Sequence, residues 1–524
     1  MALDLVIAGG TLVDGDGARP GDVGVAGGRL VLGDLGGADA RRIDAAGAVV
    51  APGFIDTHTH SDLGPLLGPE HEDVAAASVR QGVTTEVAGN CGFSPFPIGS
   101  PHRADVEEQL SPLFGDVPLP WDDLTGYREA VQGAGMRNDL ALLVGHGTLR
   151  AAVMGFADRP ARDDELALMR RRLEDALDQG AVGMSSGLVY APSMYAPLEE
   201  LVVLGRILAR HGVPYTSHIR NETHGLEDAV EEALAVGRGS GAAVHLSHHK
   251  AAGRDNWGRT ETTLAMVDAA RESGMDVTLD VYPYVAGSTL LHSLLPPWSQ
   301  EGGTAAMLER LATERPRIVR DVRDGLPGWH NIGGAAGWDK VSISACPEPS
   351  LEGRVIADLA AEAGADPVEH VCELLLAYGG HVQVILEVMA EDDVRRVLRH
   401  RCTAIGSDGI PMPGRPHPRW AGSFARVLGR YVREERVLEL EDAVRKMTAL
   451  PASRFGLRDR GRLADGARAD LVVFDPGAVI DRATFEDSVL PPDGIRLVVV
   501  GGAVVVEEGS LTGARPGAVA APGR

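Results

Sequence analysis

Eight short apolar runs constrain this chain more than any other feature: residues 53–57, 83–88, 140–145, 181–185, 214–217, 243–247, 276–281 and 403–407. Each has the length and apolar content of a buried strand, and helical stretches such as 163–179, 199–211 and 226–237 separate most of them. Eight such strands alternating with helices is the count of a parallel (β/α)8 TIM-like barrel, an α/β architecture. The spacing fails once, where residues 283–400 separate the seventh strand from the eighth. Structureless loops beyond about 15 residues are uncommon. An inserted subdomain is therefore expected there, with helices at 351–363 and 392–400.

The two ends of the chain read differently. Residues 4–33 hold short strand-like runs broken by Gly/Asp turns, and 469–474 and 495–502 repeat that pattern. A small β-sandwich domain formed by both termini is the simplest arrangement. The expected boundaries are 1–52 and 456–512 for that domain, 53–455 for the barrel with its insert within 283–400, and 513–524 as a loose Gly/Ala/Pro-rich tail.

Several strand candidates end in polar residues that a buried strand would not choose. These ends are His58-Thr59-His60, Gly89-Asn90-Cys91-Gly92, Ser217-His218, Ser247-His248-His249-Lys250, Tyr282-Pro283-Tyr284 and Ser407-Asp408-Gly409. In a barrel the C-terminal strand ends converge on one face, where active sites sit. His58 and His60, two apart on a strand, point to the same side, and paired imidazoles suit a borderline cation such as zinc. His218 and His248 at other strand ends strengthen that reading, with His249 as the alternative to His248.

Cys346, Cys372 and Cys402 read as small buried hydrophobes. Cys91, flanked by glycine after a strand, reads instead as a thiolate ligand. Asp408 fits the general base that takes a proton from a metal-activated water and returns it to a leaving amine. Lys250, Tyr282 and Arg419 supply donors for a substrate carboxylate, against the plainer readings of a solvated lysine, a packed aromatic and a surface arginine. Only Lys250, Lys340 and Lys446 are lysines among 50 basic residues, which argues that Lys250 was not placed for bulk charge.

A net charge of −24 argues against nucleic acid or an anionic membrane as partner. No run of 18 apolar residues suggests a transmembrane helix. The start, Met1-Ala2-Leu3-Asp4, lacks the basic opening of a secretory signal, and four cysteines in 524 residues are too few for a disulfide scaffold. A cytoplasmic location is expected. The oligomeric state is not readable, since no heptad seam marks an interface.

The motifs together resemble a known family. Gly53-Phe54-Ile55-Asp56-Thr57-His58-Thr59-His60 is similar to the first-strand signature of the amidohydrolase superfamily. The more specific resemblance is to the D-aminoacylase (N-acyl-D-amino-acid deacylase) family. It rests on Gly89-Asn90-Cys91-Gly92-Phe93-Ser94-Pro95, Ser217-His218-Ile219-Arg220, Ser247-His248-His249-Lys250, Tyr282-Pro283-Tyr284, Gly406-Ser407-Asp408-Gly409, His417-Pro418-Arg419 and Lys446-Met447-Thr448. Superfamily members that bridge two metals carry a carbamylated lysine at the fourth strand; here Ala181-Val182-Gly183-Met184-Ser185-Ser186 holds none.

The resemblance implies that Cys91, His218 and His248 hold one tight zinc, with His58 and His60 lining a second, weaker position. It implies Asp408 as the catalytic acid/base, and Lys250, Tyr282, Arg419 and Ser288 around the substrate α-carboxylate. The implied reaction is hydrolysis of an N-acyl-D-amino acid to a carboxylate and a free D-amino acid. Members that prefer acidic side chains use an arginine after the seventh strand; Leu290-Leu291-His292-Ser293-Leu294-Leu295 contains none, which favours an apolar or neutral side chain. The insert is expected to close over the site. The alternatives are a related hydrolase of cyclic amides or other N-acyl or carbamoyl compounds, and a non-catalytic barrel scaffold.

Overall fold

Every strand of the barrel is supplied by one of the eight apolar runs. The computed structural model describes residues 2–523 except 34, 36–38, 100 and 116. The chain opens with β1 (Leu5–Asp14), β2 (Gly17–Ala26), β3 (Arg29–Leu32), β4 (Arg41–Asp44) and β5 (Val49–Pro52). The barrel follows as β6 (Phe54–Asp56), β7 (Val83–Ala88), β8 (Asp139–Gly145), β9 (Gly183–Gly187), β10 (Tyr215–His218), β11 (Val244–Leu246) and β12 (Val277–Val281). After the insert strands β13 (Ala286–Leu290), β14 (Val341–Ala345) and β15 (Gln383–Glu387), β16 (Thr403–Ile405) is the eighth barrel strand. The C-terminal part contributes β17 (Leu471–Phe474), β18 (Ile495–Val500), β19 (Ala503–Glu507), β20 (Ser510–Leu511) and β21 (Val519–Ala520).

The barrel strands pair in parallel in sequence order from β6 to β12, with β16 beside β12. The Thr57 amide and hydroxyl donate to the Ile405 carbonyl at 3.4 and 3.0 Å, bringing the first strand back to the last. Because both faces of each strand are covered, strands such as Val83–Ala88 are buried along their whole length. Alternate residues still divide: Leu140, Leu142 and Val144 pack against helices, whereas Ala141 and Leu143 join Ile55, Val87, Phe455 and Leu457.

Among the described residues, β1–β5 and β17–β20 form one nine-stranded sheet, in which β5 joins the two ends by pairing with β1 in parallel and β17 antiparallel. Period two again sorts the side chains. Leu471, Val473, Leu497 and Val499 share a core with Leu5, Ile7, Val23 and Leu30 inside the small domain, while Val472, Phe474, Val498 and Val500 pack in the barrel cluster. The chain passes from this sheet into the barrel at Gly53, where a Cβ would lie 2.2 Å from the Thr84 hydroxyl, so only glycine permits the crossing.

The insert carries its own three-stranded antiparallel sheet, ordered β13-β15-β14, and its own core around Met307, Leu311, Val371, Leu375 and Val384. Its helices include Ile356–Ala363, within the expected 351–363. The second expected helix forms as Glu391–Arg399, but its Val394, Val397 and Leu398 pack in the barrel cluster, so it belongs to the barrel rather than to the insert.

The described part of the expected tail, 513–523, is not loose. β21 pairs in parallel with β8, Ala518 N–H donates to Asp139 Oδ1 at 2.8 Å, and the Leu140 amide donates to the Ala518 carbonyl at 3.0 Å. The Gly517 and Gly523 amides add bonds to the carbonyls of Met136 and Gly456. Backbone pairing, which composition does not reveal, holds it down. At about 1 kcal/mol net for each hydrogen bond, deleting residues 516–524 is expected to lower the thermal midpoint by about 2–5 °C by calorimetry. An unchanged midpoint would show that the segment contributes nothing.

Candidate metal centre

The polar strand ends gather in one buried cluster. His58, Cys91, His248 and Asp408 each offer a ligand atom, and these atoms all lie within 4.8 Å of one another; His218, Glu222 and His248 form a second such group. Cys91 Sγ is 3.3 Å from His58 Nε2 and 3.5 Å from His248 Nε2. Asp408 Oδ1 is 3.5 Å from His58 Nε2 and 3.3 Å from His60 Nε2. The His218 ring lies 4.3 Å from that of His248.

Local backbone geometry aims these groups. Cys91, His248 and Asp408 all have positive φ, at 52°, 34° and 51°. Non-glycine residues rarely take this conformation, and such strain collects at functional sites. Gly89 and Gly92, with φ of 82° and 80°, take further left-handed positions around Cys91. β11 ends at Leu246, so it is the left-handed turn at His248 that swings its ring inward. His249, the alternative ligand, sends Nε2 to Thr263 Oγ1 at 2.7 Å and takes no part.

The donor chemistry fits a borderline divalent metal. Both ring nitrogens of His218 are buried without a hydrogen-bond partner, as is Nδ1 of His60. Burial would raise the Cys91 thiol, but His58 and His248 outweigh it and hold the pKa well below the ordinary value. Burial would likewise depress His60, but its hydrogen bonds to Asp408 and Cys91 prevail and lift it to about 9. A soft thiolate with several imidazoles selects zinc and its neighbours over hard cations.

Two carboxylates that the sequence reading did not single out organise the cluster. Asp280, inside β12, accepts from His245 Nε2 at 2.7 Å and from the His248 amide at 2.8 Å, and lies 3.4 Å from His58 Nδ1. An aspartate inside the apolar run 277–281 was a signal that could have revealed it. Glu222, four residues beyond His218, lies 2.6 Å from Lys250 Nζ and 3.1 Å from His248 Nδ1.

His60, Cys91, His218, Glu222, His248 and Asp408 line one cavity together with Lys250, Tyr282, Ser288 and Arg419. The Arg419 guanidinium stacks over the Tyr282 ring at 4.6 Å and reaches Asp408 Oδ2 at 2.9 Å. His417 fixes this arginine by accepting its amide hydrogen at 3.0 Å. Burial would raise Asp408, yet Arg419 and His58 hold it well below the usual carboxylate range. Tyr282 is pushed up to about 12, mainly by burial, and keeps its proton. The insert closes much of the cavity with Leu290, Ile332, Leu386, Val388 and His330, whose buried Nε2 has no partner.

The chain is similar to known proteins over nearly its whole length. The amidohydrolase family model matches residues 41–506. The chain is 44% identical to the N-acyl-D-glutamate deacylase of Alcaligenes xylosoxydans xylosoxydans, over 96% of this chain and 93% of that one. It is 40% identical to the D-aminoacylase of the same organism, over 99% and 97%. The crystal structure of N-acyl-D-glutamate deacylase from Bordetella bronchiseptica, complexed with zinc and a phosphonate mimic of the tetrahedral intermediate, superposes with a TM-score of 0.85 at 41% identity, covering 99% of each chain.

Protons and metal compete for the same nitrogens. With a pKa of about 9, His60 is protonated at pH 7 in the metal-free protein and must lose that proton to bind metal. Zinc affinity at the position that His60 lines is therefore expected to rise with pH up to about 9, with proton release measurable by calorimetry in buffers of different ionisation enthalpy. Affinity flat between pH 6 and 9 would contradict this arrangement.

Proposed function

Because the chain belongs to the amidohydrolase family, we propose that it hydrolyses N-acyl-D-amino acids to a carboxylate and a free D-amino acid, with zinc as its metal. One observation carries the reading: a thiolate–imidazole donor cluster and a set of carboxylate-binding donors line the same cavity. The D configuration follows the named activities of relatives at 40–44% identity.

Cys91, His218 and His248 would hold the tight zinc, with His58 and His60 at a second, weaker position. Bound zinc supplies a Lewis acid that polarises the amide carbonyl and makes water acidic enough to attack near neutral pH. Arg419, Lys250, Tyr282 and Ser288 take the substrate α-carboxylate through charge-assisted and hydroxyl hydrogen bonds. A carboxylate drawn to Arg419 weakens its hold on Asp408, so substrate binding itself raises the basicity of Asp408. Asp408 then accepts a proton from the attacking water and delivers it to the departing nitrogen. Tyr282, pushed up to about 12, keeps at neutral pH the single phenolic hydrogen that it donates to the substrate carboxylate.

The side chain is apolar or neutral. Among the described residues lining the cavity, the Lys and Arg side chains are Lys250 and Arg419, each already paired with a carboxylate. Leu113, Leu290, Ile332 and Ile410 are among the apolar side chains of the remaining lining, beside the uncharged Thr289 and Ser293. No helix among the described residues is long and apolar enough to cross a membrane. A reducing cytoplasm suits Cys91, whose thiol is free.

Zinc-loaded protein is expected to release amino acid from N-acetyl-D-leucine, -methionine and -phenylalanine, more slowly from N-acetyl-D-glutamate, and not from the L forms. Turnover of neither set would sink the deacylase reading, and a preference for glutamate would sink the side-chain assignment. Asp408→Asn is expected to cut kcat by about 10²–10⁴ with zinc stoichiometry unchanged. Activity within threefold of wild type would remove Asp408 from the proton transfer.

A further inference from the structure

Glu222 has no role in the reaction as set out above, yet it lies against Lys250 and two of the site's histidines. Its side chain is buried, at 3% exposure. Oε1 lies 2.6 Å from Lys250 Nζ and 3.1 Å from His248 Nδ1, and Oε2 lies 4.0 Å from His218 Nε2. Its backbone is pinned as well: the Ala252 amide donates to the Glu222 carbonyl at 2.7 Å, tying the segment after β10 to the segment after β11.

The tautomer of His248 shows what the carboxylate is for. Nε2 of His248 faces Cys91 Sγ, so a metal in this cluster takes its lone pair from Nε2. A neutral imidazole that ligates through Nε2 carries its proton on Nδ1. Nδ1 has two polar neighbours, Lys250 Nζ at 2.7 Å and Glu222 Oε1 at 3.1 Å. An ammonium has no lone pair to accept with. In this geometry Nδ1 therefore accepts from Lys250; once a metal claims Nε2, Glu222 Oε1 is the acceptor within reach of the Nδ1 hydrogen, and it already takes a hydrogen from Lys250. Without Glu222, nothing would draw the ammonium off Nδ1, and the ring's proton would stay on Nε2, the atom that ligation needs free.

Charge balance leads to the same place. Lys250 is 6% exposed and brings a full positive charge to within 2.7 Å of a ligand ring. Left unpaired there, it opposes any divalent cation in the cluster; paired with Glu222, it becomes nearly neutral to the metal while keeping donor hydrogens for substrate.

We propose that Glu222 is a positioning residue that sets the metal-binding tautomer of His248 and neutralises Lys250 toward the metal, linking metal retention to the substrate-carboxylate anchor. The proposal rests on the assignment of these ligands made above, and its test needs no substrate. Cobalt(II) and zinc are titrated into metal-free wild type, Glu222→Gln, Glu222→Asp and the double variant Glu222→Gln/Lys250→Met, with a competing chelator to set affinity. The thiolate-to-cobalt absorption band reports ligation by Cys91.

Losing a carboxylate that orients a ligating histidine typically weakens metal binding by about tenfold to a hundredfold. Glu222→Gln is expected to fall in that range, and Glu222→Asp between it and wild type. The double variant should recover much of the loss, because it removes the stranded ammonium; a residue that merely props the fold would show further loss instead. Glu222→Gln binding both metals within twofold of wild type would overturn the proposal, as would a double variant no better than the single. Should Glu222→Gln fail to fold, Glu222→Asp and the double variant carry the same comparison. Wild type that takes up no cobalt would overturn the ligand assignment, and this inference with it.

Discussion

The structure depends on keeping several charges buried together at the mouth of one barrel. A thiolate, a cluster of imidazoles, the carboxylates of Asp280, Glu222 and Asp408, and the cations of Lys250 and Arg419 all lie under apolar cover. Isolated, each would cost several kcal/mol to bury. They persist because each has a partner of opposite sign: Asp280 with His58, Glu222 with Lys250, Asp408 with Arg419. The donor cluster in the middle then takes a divalent cation in exchange for the protons that its imidazoles otherwise hold. Paired charges at the edge let the centre stay reactive.

That cluster needs a rigid frame on all sides, which explains why the barrel does not stand alone. β5 and β17 tie the two ends of the chain into one sheet, whose inner row of valines and Phe474 packs on the barrel. Arg460 Nη1 and Arg468 Nη2 from the C-terminal part reach the Asp139 carboxylate at the start of β8, at 2.6 and 3.1 Å. On the other side the insert covers the catalytic cavity, leaving the chemistry enclosed between a β domain that braces the barrel and a subdomain that roofs it.

Much of this was legible in the sequence because burial on both faces of a strand writes uninterrupted apolar runs. The interruptions at their ends were legible as chemistry. His58 and His60, Cys91 between glycines, and Asp408 before Gly409 stand out because each breaks a local pattern. Glu222 broke none: it is one of 74 acidic residues in a polar turn, and only folding brings it against Lys250. The inward turn of His248 has a different origin from strand alternation, since its strand ends two residues earlier. The ordered C-terminal segment escaped because backbone pairing with β8 leaves no trace in a run of Gly, Ala and Pro.

The scarcity of lysine acquires a physical reason. Lys340 is half exposed near Glu387, where either base would serve. Lys446 is fully buried and donates to the carbonyls of His400 and Thr403, and Lys250 serves Glu222 beside His248. Both buried positions call for a compact ammonium whose three hydrogens fan out to closely spaced acceptors. A planar guanidinium presents its donors as a rigid fork and needs a flat surface beside it. Arg419 has that surface in the Tyr282 ring, and its fork faces Asp408. The two cations of the cavity are thus not interchangeable. Lysine sits where one ammonium serves acceptors set close around it, and arginine where an aromatic plane supports the guanidinium beside a carboxylate.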